Sequence, residues 1–433
     1  MNKENLRLNE LQFAYQAGCS TEMCTWAAIE TIDYFLNNGS DVYTCATDMS
    51  KAFDVTLHSL MFSKMVGANV PPILVRLLMY IYANQVANVR WNGDLSKEFS
   101  VTNGCGQGKV IAALAYCLYC EDLFETLQRR RSGCWVKGYF RGIFGFSDDN
   151  WVIAPSVSAL QDMLLTIEEY CQSHNLRLST DPDPNLSKTK CIAFQRKPQV
   201  LPSVYLCGNP LPWVDRIKHL GTTISSGKIK SEQDIMQKRA RFIEKCNNIS
   251  QEFHYAHPVT KVKLNTIYNS HFYGSSLWDF SCESFQKFES SYNRSVKIMY
   301  NLPYETHRNL IEPLSNLGFK KHVMKKYLGF TSRLETSSKP VLRQLLDTVK
   351  SDVRTTTGHN LRSMMLLSGL SNINELKTSL IDSSDYNTLG ENDEWRIGVI
   401  SDIVDIRNGD GDLGQEEWSS EELDRILRYA CTS

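Results

Sequence analysis

The sequence has no long hydrophobic run. Its longest uninterrupted apolar stretch, VIAALAYCLYC (110–120), has 11 residues, whereas a membrane-spanning helix needs roughly 18 or more. It has no signal-peptide start, because MNKENLRLNE contains no apolar segment. It has almost no net charge, −1 overall, so no global basic field advertises a polyanionic partner. It also lacks a disulfide frame. The 13 cysteines are odd in number, irregularly spaced and mostly set in apolar runs, the usage of reduced intracellular thiols. Cys117 and Cys120 form a CxxC, but no second pair and no histidine pair follows at ligand spacing, so structural zinc is not expected. What remains is a soluble protein of the cytoplasm or nucleus, with 433 residues giving room for two or three domains.

The near-zero total hides local asymmetry. Ser187 to Lys245 holds 12 Lys/Arg against 4 Asp/Glu, whereas Ser371 to the end holds 5 against 15. The basic stretch could face an anionic polymer. The acidic end reads as a separate appendage. One segment within it, NGDGDLGQEEWS (408–419), imitates a calcium loop, but Leu413 replaces the turn glycine and Ser419 the final glutamate.

Local patterns predict the elements. DVYTCAT (41–47) is rich in β-branched and aromatic residues and reads as a strand running straight into Asp48. Helices are predicted near 57–66 and 71–83, then a hairpin over 86–101 turning at Asn92-Gly93. A long helix is predicted over 108–130. Strands at 139–146 and 150–154 follow, with Ser147-Asp148-Asp149 between them. In SVSALQDMLLTIEEYCQSHNL the apolar residues fall at 160, 163, 164, 167, 170 and 171, a helical period, with Ser158 and Gln161 as a capping box. CIAF (191–194) is the next strand, and Gly208-Asn209-Pro210 the next turn. From about 231 to 350 the chain reads as helical. The order strand, helix, strand, strand, helix, strand is the split βαβ, ferredoxin-like arrangement. It brings Asp48 and Asp148 to one sheet edge.

Three aspartates at such an edge form a hard, oxygen-only site suited to Mg²⁺, which keeps waters and phosphate oxygens among its ligands. Two such ions roughly 4 Å apart can activate an attacking 3′-oxygen and stabilise leaving pyrophosphate. Strand neighbours point to opposite faces, but a turn relaxes that alternation, so both hairpin carboxylates could face one site. Without cations they would repel and raise each other's pKa.

Taken in order, ATDMSKAFD, LHSLMFSKM, TNGCGQG, FGFSDDN, LSKTKCIAF and LCGNPLPWVDRIKHLGTTIS resemble the motifs of a reverse transcriptase of non-LTR, LINE-type retrotransposons in the jockey and chicken-repeat-like group. LQFAYQAGCST near the start resembles a fingers motif, and LPYETHRNLIEPL and VRTTTGHNLR resemble downstream parts of such elements. The resemblance implies an α+β right-hand polymerase with a ferredoxin-like palm, partial fingers, a helical thumb and a helical C-terminal extension. The implied divisions are 1–47 (partial fingers and first palm strand), 48–200 (palm with a fingers-like insertion at 56–103), 201–230 (primer-grip hairpin), 231–350 (thumb and connection) and 351–433 (acidic tail).

The same resemblance implies roles. Asp48, Asp148 and Asp149 would be catalytic and bind two Mg²⁺ ions, with Mn²⁺ as a substitute. Phe53 would pack under the nucleotide sugar and exclude a 2′-hydroxyl. Gln107 and Gly108 would pass beside the nascent base pair, and Lys188 would lie near the triphosphate. Cys207 and Gly208 would grip the primer end. Lys238, Arg239, Arg241 and Lys245 would touch the duplex backbone without reading sequence. The implied partners are an RNA template, a DNA primer and deoxynucleoside triphosphates.

Some positions depart from the family. Gly106 stands where an arginine is common and Lys109 where a small residue is common; Ala14 and Gln16 replace the usual Gly and Arg. The resemblance implies a start inside the fingers, as in a 5′-truncated copy. Two readings stay open: an RNA-directed DNA polymerase, or a relic that keeps the fold and a duplex-binding groove without turnover. Phe53 argues against a third, an RNA-templated RNA polymerase.

Overall fold

The computed structural model describes residues 8–106, 111–183, 185–269, 272–307, 311, 314 and 318–368. The expected acidic tail beyond 368, with its calcium-loop imitation, and residues Gln107, Gly108 and Lys109 lie outside them. The chain is built of helices and strands and divides into two units. The first runs to Asp234 and also takes in Leu277–Asp279 and Phe330–Arg362; the second holds Ile235–Ser276 and Phe280–Gly329. Among the described residues no helix is long and apolar enough to cross a membrane.

The first unit opens with α1 (Thr21–Asn37), whose N-cap Ser20 accepts the Met23 N–H. Every residue from Glu22 to Asp33 in α1 is buried, so this helix is covered all round. Next come β1 (Val42–Thr47), β2 (Met49–Ser50), α2 (His58–Gly67) and α3 (Pro72–Ala83). Four short strands follow, β3 (Val86–Ala87), β4 (Arg90–Trp91), β5 (Asp94–Leu95) and β6 (Phe99–Ser100). They nest as the expected hairpin, with β3 on β6 and β4 on β5. Asn92 and Gly93 both take positive φ at its tip, as a type I′ turn requires.

The single helix expected over 108–130 is two, α4 (Ala112–Tyr119) and α5 (Glu121–Arg130). The break is at Cys120, whose φ of −99° and ψ of 7° leave the helical region, and Glu121 and Asp122 then open a new N-terminus with acidic side chains. After β7 (Trp135–Val136) and β8 (Tyr139–Phe140) come the central hairpin strands β9 (Ile143–Phe146) and β10 (Asp149–Ala154), then α6 (Val157–Ser173). Its predicted apolar stripe is buried at all six positions. The cap, however, is Ser156, which accepts the Ala159 N–H, and not Ser158. β11 (Arg177–Leu178) pairs with β2, and β12 (Lys190–Phe194) closes the main sheet.

That sheet has the order β12-β1-β10-β9 with every neighbour antiparallel. This is the strand order of the predicted split βαβ fold. Trp151, Val152, Ile153 and Ala154 are all fully buried, and because successive strand residues face opposite ways, both sheet faces are covered. Residues 11–13 extend the sheet beyond β9: Phe13 donates its N–H to Gly145 O (2.8 Å) and Gly145 donates to Leu11 O (2.9 Å).

Two further hairpins follow, β13 (Val204–Leu206) with β14 (Asn209–Leu211), and β15 (Arg216–His219) with β16 (Thr222–Ser225). The first turns at Cys207-Gly208, both at positive φ, one residue before the predicted turn. Pro210 therefore sits inside a strand, which an edge position permits because proline needs no ladder partner for its missing N–H.

His219 ends β15 fully enclosed, 5.0 Å from the Trp151 ring, and its Nε2 has no partner among the described residues. Burial pushes its imidazole from 6.5 down to about 4. The folded protein thus holds a neutral ring where the unfolded chain already protonates. The stability this gives is complete above pH 6.5 and is lost as pH falls through 6.5 to about 4, by about 3 kcal/mol. Denaturant unfolding of the wild type and of His219→Leu at pH 7 and pH 4 should differ by that pH-dependent increment. An equal difference at both pH values would contradict it.

Late in the first unit, α11 (Pro340–Val349) packs on α1, after α10 (Phe319–Glu335), most of which belongs to the second unit. The VRTTTGHNLR segment leads into α12 (Thr356–Ser368) and also docks on α1. Thr357 donates its hydroxyl (2.5 Å) and N–H (3.1 Å) to buried Glu30, and Trp26 Nε1 donates to Thr357 Oγ1 (2.9 Å). The second unit contains most of α7 (Glu232–Glu252), then α8 (Pro258–Asn269) and α9 (Glu283–Met299). Its centre is aromatic: Phe242, Phe272, Phe288, Tyr292 and Phe319 lie with ring centroids 4.6–6.4 Å apart.

Candidate active site

Asp48 follows β1 directly and is half-buried. Its backbone is fixed on both sides, because its N–H donates to Thr189 Oγ1 (3.2 Å) and its C=O accepts from the Ser179 N–H (2.8 Å). Thr189 is fully buried and donates its own N–H to Ser179 O (3.2 Å). The loop after β11 thus closes on the end of β1.

The β9–β10 hairpin turns in two residues, Ser147 and Asp148, since Phe146 pairs with Asp149. Only Ser147 takes a positive φ (63°), the signature of a type II′ turn, which matches the twist of the flanking strands. Asp149, predicted as part of the turn, is instead the first residue of β10 and is exposed. The strand alternation therefore relaxes at Asp148 but not at Asp149. Gly145 is required here: a Cβ would stand 2.7 Å from the Phe124 ring and 2.6 Å from Asn150 Oδ1.

The register Thr47↔Asn150 carries Asp48, one residue on, to the level of Asp149. The carboxylates feel one another. Burial pushes Asp148 above the usual carboxylate range, and the Asp48 charge adds to the rise. Surrounding protein atoms, then Asp148, then Asp48 lift Asp149 to about 6. Among the described residues no three His, Cys, Asp or Glu side chains form an enclosing metal cage. Two carboxylates held at a sheet edge under mutual repulsion still fit Mg²⁺, which binds through one or two carboxylates plus phosphate oxygens and waters.

Phe53 is half-buried with its ring 4.7 Å from that of fully buried Tyr116. The TNGCG stretch runs along its backbone, with the Cys105 N–H donating to Phe53 O (2.7 Å). Gly104 has φ +94°, and a Cβ there would stand 3.1 Å from Phe53 O, so only glycine lets the two segments meet. Lys188 is exposed between buried Ser187 and Thr189, which places it beside the segment holding Asp48. The Cys207-Gly208 turn is exposed and tied to α6: the Cys207 N–H donates to Glu168 Oε2 (2.8 Å), while Gln161 and Tyr205 exchange two bonds of 2.8 Å.

In the second unit, Arg241 and Lys245 are exposed on α7, with Lys245 Nζ 3.4 Å from Tyr268 O. Lys238 lies 5.3 Å over the Tyr273 ring. Arg239 differs from its neighbours, because its Nε donates to Ser291 Oγ (2.7 Å) and it is engaged in packing.

Thr189, Ser179 and Gln12 were not among the residues the sequence pointed to. Gln12 is fully buried; its Oε1 accepts the Ser147 N–H (2.9 Å) and the Ala14 N–H (3.0 Å), and its Nε2 donates to Ser147 O (3.4 Å). Its one signal in the sequence is its place within the fingers-like motif LQFAYQAGCST.

The reverse transcriptase (RNA-dependent DNA polymerase) family matches residues 2–224, just over half of the chain. A probable RNA-directed DNA polymerase from transposon X-element of Drosophila melanogaster is 24% identical over 290 residues, 64% of this chain and 30% of that protein. The chain thus spans under a third of this relative's length. Among solved structures, telomerase from Candida tropicalis in complex with a TWJ fragment of telomeric RNA is 12% identical with a TM-score of 0.39, covering 84% of this chain and 52% of that one. Telomerase from Candida albicans, also with a TWJ fragment, is 11% identical with a TM-score of 0.38, covering 83% and 54%.

Proposed function

The chain belongs to the reverse transcriptase family, and we propose from that membership that it performs RNA-directed DNA synthesis for a non-LTR retrotransposon. The observation that carries this reading is the placement of Asp48, at the end of β1, beside the hairpin that carries Asp148 and Asp149 at one sheet edge, where its charge adds to the rise that burial gives both hairpin carboxyls. Asp48 and Asp148, with Asp149 in support, would hold two Mg²⁺ ions that activate the primer 3′-hydroxyl and neutralise the departing pyrophosphate.

The chain's own residues do the rest. Thr189 and Ser179 fix the Asp48 backbone, and Gln12 fixes the turn carrying Asp148. Phe53 excludes a ribose 2′-hydroxyl, and Lys188 balances triphosphate charge. Gln107 and Gly108 flank the nascent pair. Cys207 and Gly208 steady the primer end on the platform made by Gln161 and Glu168. Lys238, Arg241 and Lys245 supply salt-sensitive backbone contacts, with Arg239 holding their helix in place. The domains follow the same reading: partial fingers to residue 47, palm over 48–200 with its insertion at 56–103, primer-grip hairpin over 201–230, thumb and connection over 231–350 and an appendage beyond.

Primer extension tests it. The purified chain, given an RNA template, a DNA primer, the four deoxynucleotides and Mg²⁺, should lengthen the primer. Primer–template binding without extension would leave the non-catalytic relic, and neither binding nor extension would reject both.

A further inference from the structure

The hairpin tip that carries Asp148 holds a non-glycine residue, Ser147, at φ +63°, a region of φ that an L-residue adopts only under strain. Something must hold it. The side-chain bonds to the Ser147 backbone come from Gln12, through its Oε1 and Nε2. Gln12 in turn lies on the segment added beside β9, and that segment is itself anchored from a distant part of the chain. Lys339 caps the start of α11 and is 5% exposed. Its Nζ donates to three backbone carbonyls of the added segment, those of Asn9 (3.2 Å), Glu10 (3.1 Å) and Gln12 (2.7 Å). An ammonium has three donors, so all are used. The cation also lies 5.1 Å over the Phe13 ring. A second tether runs alongside: Arg141, 1% exposed, donates to Glu10 Oε1 (3.2 Å) and to Gln344 Oε1 (2.7 Å) on α11.

From this chain of contacts we infer that Lys339 is a positioning residue for Asp148, acting through Gln12, so that α11 is part of the catalytic machinery's support. The inference rests on the reading of Asp148 as catalytic. It follows from geometry: the ammonium gathers three carbonyls that face one way, which fixes the path of residues 9–12. That path sets where the Gln12 amide meets Ser147, and Asp148 is the next residue. A planar guanidinium cannot reproduce three converging donors, and an apolar side chain leaves three buried carbonyls without partners.

Amide hydrogen exchange on the full chain tests this without requiring activity. The Ser147 amide donates to Gln12 Oε1, so Gln12→Met should speed its exchange about 10-fold or more. Lys339→Met should do the same, and the double variant should add little beyond either. Protection of the β13–β14 hairpin should be unchanged. Lys339→Gln, which keeps two donors, should give an intermediate acceleration and serves if the Met variant does not fold. In extension assays, kcat should fall about 10-fold or more with primer–template Kd preserved. Exchange changes confined to residues 9–12 and 337–340, with Ser147 as protected as in the wild type, would overturn the inference. The exchange result decides this even if the wild-type chain extends no primer, which would instead defeat the polymerase reading.

Discussion

Asp148→Asn should lower primer extension by on the order of 10³-fold while leaving the protein folded. A metal ion that stabilises transition-state charge contributes several kcal/mol, and each 1.36 kcal/mol is tenfold in rate. Asparagine keeps the shape of the turn but removes the charge that would draw the cation. The same substitution should not harm the metal-free fold. Burial and the Asp48 charge both raise the Asp148 carboxyl, so its ionised form is disfavoured where it stands. Without divalent cations the variant should therefore melt no lower than the wild type. Adding Mg²⁺ should stabilise the wild type and leave the variant unmoved, because only a state that binds the ion gains from it. Asp149→Asn should cost less activity, since Asp149 belongs to the β10 ladder and lies exposed. Extension by Asp148→Asn within tenfold of the wild type would remove Asp148 from the chemistry.

The contrast between the two hairpin aspartates shows what a sequence can convey about such a site. Alternation and period were legible: the α6 stripe, the β1 strand running into Asp48 and the hairpin at Asn92-Gly93 all lie as their patterns require. Those signals are local, and the sheet order follows from them by simple topology. Turn length was less legible. Ser-Asp-Asp and Gly-Asn-Pro both look like turns, but two-residue loops suit the strand twist, so Asp149 and Asn209-Pro210 joined ladders instead. The helix break at Cys120 carried no glycine or proline to announce it. The supporting residues were least legible. Thr189 was hidden beside the more conspicuous Lys188, and Gln12, Ser179 and Lys339 act through partners remote in sequence. No periodicity marks a side chain whose task is one hydrogen bond to a distant backbone atom.

Phe53→Ala should admit ribonucleotides. The Phe53 ring packs against Tyr116, at 4.7 Å between centroids, and its backbone is pinned by the Cys105 N–H at 2.7 Å. A ring supported in this way cannot retreat from an added hydroxyl. Forcing an extra group against a well-packed side chain costs typically 1–3 kcal/mol, which is roughly 5- to 150-fold in discrimination. Truncation to alanine removes the obstacle, so the preference for deoxynucleotides, measured as the ratio of kcat/KM for the deoxynucleotide to that for the matching ribonucleotide, should fall by about that factor. The gain must appear in ribonucleotide use, because a general loss of packing would lower both substrates alike. Tyr116→Phe gives the control: the ring remains, the hydroxyl loses its contacts with Met49 Sδ (3.0 Å) and the Cys120 thiol, and selectivity should hold. An unchanged ratio in Phe53→Ala would make Phe53 a core residue and place sugar selection elsewhere.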